Sequence, residues 1–262
     1  TGAGSTANLL RARLPMQNLA GVLFTHFHSD HISALGDTNL ASWVAGRTAP
    51  LNVYGPEGVA RVVDGFNEAY ALDRTYRTMH HGSKLLPPDV GPMRPKLIAL
   101  GEVTEVGEFS ITPFSVDHDP VQPAVGYRFE YRGRSVVVSG DTNALQSTAT
   151  ASRDADLLLH DALSRPLVHA MRDAVTSAGN TRMTRILDDI LDYHAHTDSL
   201  PEIAREAGVT MLALYHLVPV PPNGIAESIF RRGLPAEVRL VDDGTVFNLP
   251  ANTDAIEVVQ IF

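Results

Sequence analysis

Apolar runs that each break off at an ionisable side chain organise this sequence. Gly21 to Thr25 stops at His26, Phe109 to Val116 leads to His118, and Val136 to Gly140 leads to Asp141. Leu157 to Leu159 leads to His160 and Asp161, and Met211 to Tyr215 leads to His216. Short, β-branched-rich apolar runs bounded by polar residues predict buried strands. In layered α/β architectures ligands gather outside the carboxyl ends of strands, so five such endings on one rim predict a single site. A polar residue that merely ends its strand accounts for any one of them; it accounts poorly for all together.

Between these runs the period changes. Val59, Val62, Val63, Phe66 and Tyr70 follow Pro56 at spacings of three and four, which predicts a helix with one apolar face. Met183, Ile186, Leu187, Ile190 and Leu191 predict another across Thr181 to Tyr193. Ser199-Leu200-Pro201-Glu202 has the form of a capping box, with a helix expected to about Ala207 and a stop at Gly208. Strands are expected again over Val238 to Val241 and Thr245 to Leu249. The order predicts one layered α/β domain spanning 1–262, without internal repeats. The segment from Asp73 to Pro95 departs from it: its prolines and glycines predict a long loop or lid inserted beside the site. His80 and His81 in that loop either contact substrate or are simply exposed or hydrogen-bonded.

Composition narrows the classes. With 44% hydrophobic and 19% charged residues over 262 positions, the chain is of ordinary globular type. No apolar run approaches the roughly 20 residues that span a bilayer, so no membrane association is expected. A net charge of -9, with 21 basic against 30 acidic residues, argues against a broad polyanion-binding surface. The absence of cysteine removes disulfides and thiolate catalysis, but leaves the compartment open between cytoplasm and a periplasmic or secreted location. Because the first residue is Thr1 and the first motif arrives after only 25 residues, upstream processing is expected, a removed signal being one cause.

Chemistry is densest in His26-Phe27-His28-Ser29-Asp30-His31. Alternation at a strand end sets His26 and His28 on one side, where two imidazoles can converge on one cation. Asp30 and His31 lie where the chain turns toward helix and can face a second cation. Neutral imidazole and carboxylate suit zinc, with manganese or iron compatible. Two bound dications would also offset the acidic surface locally, so a small anionic ester can still be attracted.

Taken in order, His26-x-His28-x-Asp30-His31, His118, Ser139-Gly140-Asp141-Thr142 and Tyr215-His216 resemble the metallo-β-lactamase superfamily. The resemblance implies a four-layer αββα sandwich with metals at one edge of the paired sheets. It also implies one zinc held by His26, His28 and His118, a second by Asp30, His31 and His216, and Asp141 bridging both. Part of the strands that precede the first motif in that family is expected to be missing here. The finer resemblance is to the ribonuclease Z branch, carried by Val125-Gly126-Tyr127-Arg128 after His118, by Leu159-His160-Asp161-Ala162, and by His194-Ala195-His196-Thr197 ahead of a helix. It implies a proton relay through Asp161 and His196, although Asp161 stands where the branch has a longer Glu; a purely positioning hydrogen bond is the alternative. His160 and His194 are expected as buried, hydrogen-bonded residues and His169 as solvated. The branch's basic, glycine-rich arm that grips transfer RNA is not evident, since Tyr54 to Leu100 holds six basic against five acidic residues.

These readings lead to a dinuclear zinc hydrolase that activates water between its two metals, with Asp30 ligating and orienting it and His196 protonating the leaving oxygen. A phosphodiester or related small ester is the expected substrate, with transfer RNA disfavoured on charge. Carbonyl hydrolysis of a lactone or β-lactam on the same core is the alternative. A non-catalytic metal-binding protein comes third, because the intact ligand set argues against it. An oxygen-reducing di-iron relative is disfavoured by His28, where that branch resembles His-x-Glu-x-Asp. Oligomeric state stays open, a homodimer included.

Overall fold

The computed structural model describes residues 1–144 and 146–262. Strands β1 (Val22–Leu23), β2 (Asn52–Gly55) and β3 (Arg94–Leu97) form a parallel sheet in that order. A larger sheet takes β4 (Thr104–Val106), β5 (Phe109–Ser115), β6 (Val125–Tyr131), β7 (Arg134–Val138), β8 (Leu157–Leu163), β9 (Met211–Val218) and β10 (Arg239–Leu240). Its order is β10-β9-β8-β7-β6-β5-β4, antiparallel from β4 to β7 and parallel from β7 to β10. Two antiparallel steps return the direction, so β5, β7, β8 and β9 all point the same way. A hairpin of β11 (Thr245–Asn248) and β12 (Glu257–Gln260) follows. The helices are α1 (Ser5–Arg11), α2 (Ser29–Ile32), α3 (Leu35–Val44), α4 (Val59–Ala69), α5 (Ala71–His81), α6 (Gln146–Ala151), α7 (Arg165–Ser177), α8 (Thr181–Asp189), α9 (Leu200–Ala207) and α10 (Gly224–Phe230).

Apolar burial stacks these elements as helices, sheet, sheet, helices. Leu35, Val59 and Val63 of α3 and α4 cover Val22, Phe24 and Val53 on the outer face of the small sheet. Between the sheets, Ile111, Val125 and Tyr127 meet Leu23 and Tyr54. The Tyr127 hydroxyl donates to the Phe24 carbonyl at 2.6 Å, and the Val125 amide to the Thr25 carbonyl at 3.0 Å, so the layers are also tied by polar bonds near the chemical edge. On the far face Leu200, Ala204 and Phe230 of α9 and α10 pack on Val137, Leu158, Leu212 and Leu214. The expected αββα sandwich is therefore the observed fold.

Several boundaries differ from the sequence reading. The stretch expected as a loop from Asp73 opens as helix: α5 runs to His81, and the irregular part is 82–93. Ala71 to Met79 contains no proline or glycine, and Gly82, at φ 87°, stops the helix only after that. The helix buries none of its residues, and the His80 and His81 rings sit edge-on at 4.7 Å in its exposed last turn. Pro95 lies in β3, an edge strand, where a missing backbone donor is tolerated. The capping box at Ser199 does not form. Ser199 has φ -91° and ψ -26°, outside the extended region a cap requires, and its hydroxyl turns to Asp198 instead. The other end behaves as read, with Gly208 at φ 69° closing α9.

Candidate metal centre

The common direction of β5, β7 and β9 carries His118, Asp141 and His216 to one edge of the large sheet, and the turn from β1 into α2 brings His26, His28, Asp30 and His31 to the same place. His26, His118 and Asp141 are almost wholly buried. Gly140 makes the approach of Asp141 possible: at φ 68° it is left-handed, and an added Cβ would lie 2.8 Å from the Val125 carbonyl oxygen and 3.0 Å from the Thr25 Cβ. Thr142 then fastens the turn by accepting from the Asp117 amide at 3.0 Å and donating to its carbonyl at 3.1 Å.

The donor atoms face one another rather than hydrogen-bond acceptors elsewhere. His26 Nε2 and His118 Nε2 stand 3.1 and 3.3 Å from His28 Nδ1. His31 Nε2 is 3.2 Å from Asp141 Oδ2, while His216 Nε2 is 3.3 Å from Asp30 Oδ2 and 3.5 Å from Asp141 Oδ2. Zinc bonds of 2.0 to 2.1 Å at tetrahedral angles put neighbouring donors about 3.3 to 3.4 Å apart, which is the spacing found here. Asp141 Oδ2 lies 4.0 Å from both His26 Nε2 and His118 Nε2, between the two histidine groups. Its other oxygen, Oδ1, is buried without a hydrogen-bond partner among the described residues, an expensive state for a carboxylate unless a cation meets it. The residues fit a pair of divalent cations.

The outer nitrogens are held from behind. His26 Nδ1 faces Thr25 Oγ1 at 3.1 Å, and His118 Nδ1 donates to the Tyr193 carbonyl at 3.0 Å, which leaves the Nε2 atoms free as donors to a cation. Burial pushes the His26 imidazole down to about 3 and lowers His118 as well, so both are neutral at physiological pH. Burial alone would raise Asp141, but the hydrogen bond from His31 and the surrounding histidines hold it well below the usual carboxylate range. Asp30, though 62% exposed, is lowered for related reasons, His31 and His216 outweighing its partial burial.

Two of the expected strand endings are not endings. β8 continues through His160 and Asp161 to Leu163, and β9 continues through His216 to Val218, because the two strands stay paired beyond those residues and β8 stays buried there. Asp161 pairs with Tyr215 and Ala162 with Leu217, so His216 is the extra residue of a β-bulge and takes φ 44°. A bulge re-aims a side chain that regular alternation would send elsewhere.

The expected partnership of Asp161 with His196 is also different. Asp161 Oδ2 receives Nδ1 of His194 at 2.9 Å, and the Asp161 amide is held by Ser139 Oγ at 3.1 Å. His196 instead donates from Nε2 to the Leu191 carbonyl at 2.8 Å. His194 stacks on His216, with ring centroids 5.5 Å apart, and forms a close group with Asp141 and His216. His160 is fully buried with Nδ1 against the Asp161 carbonyl at 2.9 Å, as expected of a hydrogen-bonded core histidine. The sequence pattern gave no means of choosing between His194 and His196, since they stand two apart in an irregular segment where strand alternation does not apply.

The profile of a family described as "Beta-lactamase superfamily domain" matches residues 3–217. The chain belongs to that superfamily. Among curated superfamily relatives, a ribonuclease Z of Mycolicibacterium gilvum is 37% identical over 204 residues, covering 77% of this chain, and the chain spans 66% of that relative's length. A ribonuclease Z of Mycobacterium sp. (strain KMS) is 31% identical over 247 residues, covering 92% of this chain and 82% of the relative. The solved structure of the metallo-β-lactamase fold protein YhfI from Bacillus subtilis superposes with a TM-score of 0.62 at 19% identity, covering 93% of this chain and 83% of that one. Human tRNase Z, short form, gives 0.58 at 17% identity, covering 92% and 83%. These two likenesses show the fold. The chain is a ribonuclease Z-like member of a metal-dependent hydrolase superfamily.

Proposed function

We propose that this ribonuclease Z-like hydrolase cleaves a phosphodiester bond using two divalent cations, zinc being the ion best matched to five imidazoles and two carboxylates without a thiolate. His26, His28 and His118 would hold one, Asp30, His31 and His216 the other, with Asp141 between them. The observation that carries this reading is the convergence of these donor atoms, 3.1 to 3.5 Å from one another, about the buried Asp141 carboxylate, whose Oδ1 has no hydrogen-bond partner among the described residues. When bound, such ions lower the pKa of a coordinated water and stabilise charge developing on phosphoryl oxygens. Asp30, exposed and already facing His31 and His216, orients the attacking water. Asp161 fixes the tautomer and direction of His194, which supplies a proton to the leaving oxygen; His196 has no part in that step.

Two carboxylates cancel only half of the charge of two dications, so the centre stays positive and favours an anionic ester. The names of the curated relatives support RNA as that ester, and they give no support to the small ester suggested by the chain's acidity. The test is direct. Purified protein should carry close to two zinc ions per chain, and chelation or His28→Ala should remove metal together with hydrolysis of an aryl phosphodiester and of precursor RNA. Activity in a metal-free preparation, or turnover of a lactone or β-lactam with phosphodiesters untouched, would overturn the proposal.

A further inference from the structure

A cavity of about 850 Å³ adjoins His216, within the size range of small-molecule sites. Its walls include Asn8 and Arg11 of α1, Asp242 ahead of the terminal hairpin, and Phe262 after it. None of these four belongs to the metal centre, so the reaction described above leaves them without a role.

Arg11 is the informative member. Its guanidinium carbon lies 4.1 Å from the centroid of the Phe262 ring. Phe262 can lie there because position 244 is glycine, where a Cβ would come within 2.9 Å of the ring. Arg11 is exposed and makes no hydrogen bond or ion pair among the described residues, although Asp242 and Asp243 line the same cavity. A guanidinium lying on a ring is a preorganised plane with its donors free. Asp243 is engaged by the Asn8 amide at 2.7 Å, which ties α1 to the approach of the hairpin. The Asp242 carboxylate accepts no hydrogen bond among the described residues; only its backbone is bonded, to Thr245.

We propose that this cavity receives a single ribonucleoside flanking the scissile phosphate, its base stacked on the Arg11 plane and its 2′-hydroxyl donated to Asp242. The inference rests on the phosphodiesterase reading for the placement of the phosphate at the metals. Arginine planes stack unpaired bases in RNA recognition, and the 2′-hydroxyl is the group that distinguishes RNA from DNA. An ionised carboxylate only accepts, so it suits a hydroxyl donor and repels a further phosphate. Asp242 and Asp243 side by side thus make the cavity a place for one nucleoside and not for a continuing strand. An RNA-directed site is in this way compatible with a chain of net charge -9.

The experiment is a titration of the zinc-loaded protein with uridine and with 2′-deoxyuridine, followed by NMR so that weak binding is read directly. Uridine should bind more tightly than its deoxy analogue by about fivefold or more, and Asp242→Ala should erase that difference. Arg11→Ala should weaken both by about tenfold, as loss of a stacking platform does. Gly244→Ala, which pushes on Phe262 without entering the cavity, should weaken both as well. Equal binding of the two nucleosides by the wild type, or unchanged affinity in Arg11→Ala, would overturn the proposal. Failure of the wild type to cleave an aryl phosphodiester would overturn the proposed reaction instead, and the nucleoside titrations do not depend on that result.

Discussion

Replacing His194 by alanine separates the observed hydrogen-bond network from the one the sequence suggested. His194 is joined to Asp161 by a 2.9 Å bond in which the acceptor is a buried carboxylate. Removing a positioned general acid costs about 100- to 10,000-fold in rate when the leaving oxygen needs a proton. Asp161→Asn keeps the shape but loses a charge-assisted bond of about 1.5 to 3 kcal/mol, or roughly ten- to a hundredfold. His196→Ala loses only the bond to the Leu191 carbonyl and should alter turnover less than about threefold, with about 1 kcal/mol of stability. The assay compares two diesters of the same nucleotide, one with an aryl oxide that leaves unprotonated and one with a ribose oxygen that does not. His194→Ala should slow the second far more than the first while zinc content stays at the wild-type level. A similar loss on both, a larger loss from His196→Ala, or departure of metal with His194 would refute the relay.

Two further outcomes follow from the same geometry. In the metal-free protein His26 is held down to about 3 and His118 is also lowered, while both would titrate near 6.5 in the unfolded chain. The unfolded state therefore binds protons that the folded state refuses, so stability is complete above about pH 6.5 and falls as pH drops below it; His26 alone removes about 1.4 kcal/mol per unit down to about pH 3, and the lowered His118 adds to the loss in the same direction. Urea midpoints of chelated protein at pH 7, 5 and 4 should decline in that order, and a flat series would contradict the assigned neutral states. Gly140→Ala should destabilise the fold by about 1 to 3 kcal/mol and weaken zinc binding, because a left-handed turn and a 2.8 Å contact with the Val125 carbonyl both resist a side chain. Thermal melting together with zinc titration reads this, and unchanged metal affinity would show that Asp141 does not depend on the turn.

The parts of the fold that were legible in the sequence are those in which burial and chemistry share a residue spacing. Apolar runs leading to His118 and Asp141 could be read because β5 and β7 end near where their apolar character ends. The same reasoning misplaced the ends of β8 and β9, where pairing runs on past the histidines and is set by neighbouring strands. Helix α5 is masked by the prolines that all lie beyond it: Leu72, Tyr76 and Met79 carry a helical spacing of four and three, although in the structure that stripe is exposed and faces no core. Ser199 and Glu202 match a capping sequence, but backbone angles decide whether a hydroxyl can turn inward. The choice between His194 and His196 depends on how the segment after α8 crosses β8, a tertiary relation absent from local spacing.

The bulge at His216 lets one strand satisfy two geometric demands. Leu212 and Leu214 keep the two-residue rhythm that the core under α9 and α10 needs, and Leu217 and Val218 resume pairing with β8 after the interruption. His216, counted by neither side, is free of that rhythm and can be aimed by backbone rotation alone. The angle of this donor is thereby uncoupled from the packing of the sheet, so substitutions in the core can be absorbed without detuning the centre, and the centre can be retuned without repacking the core.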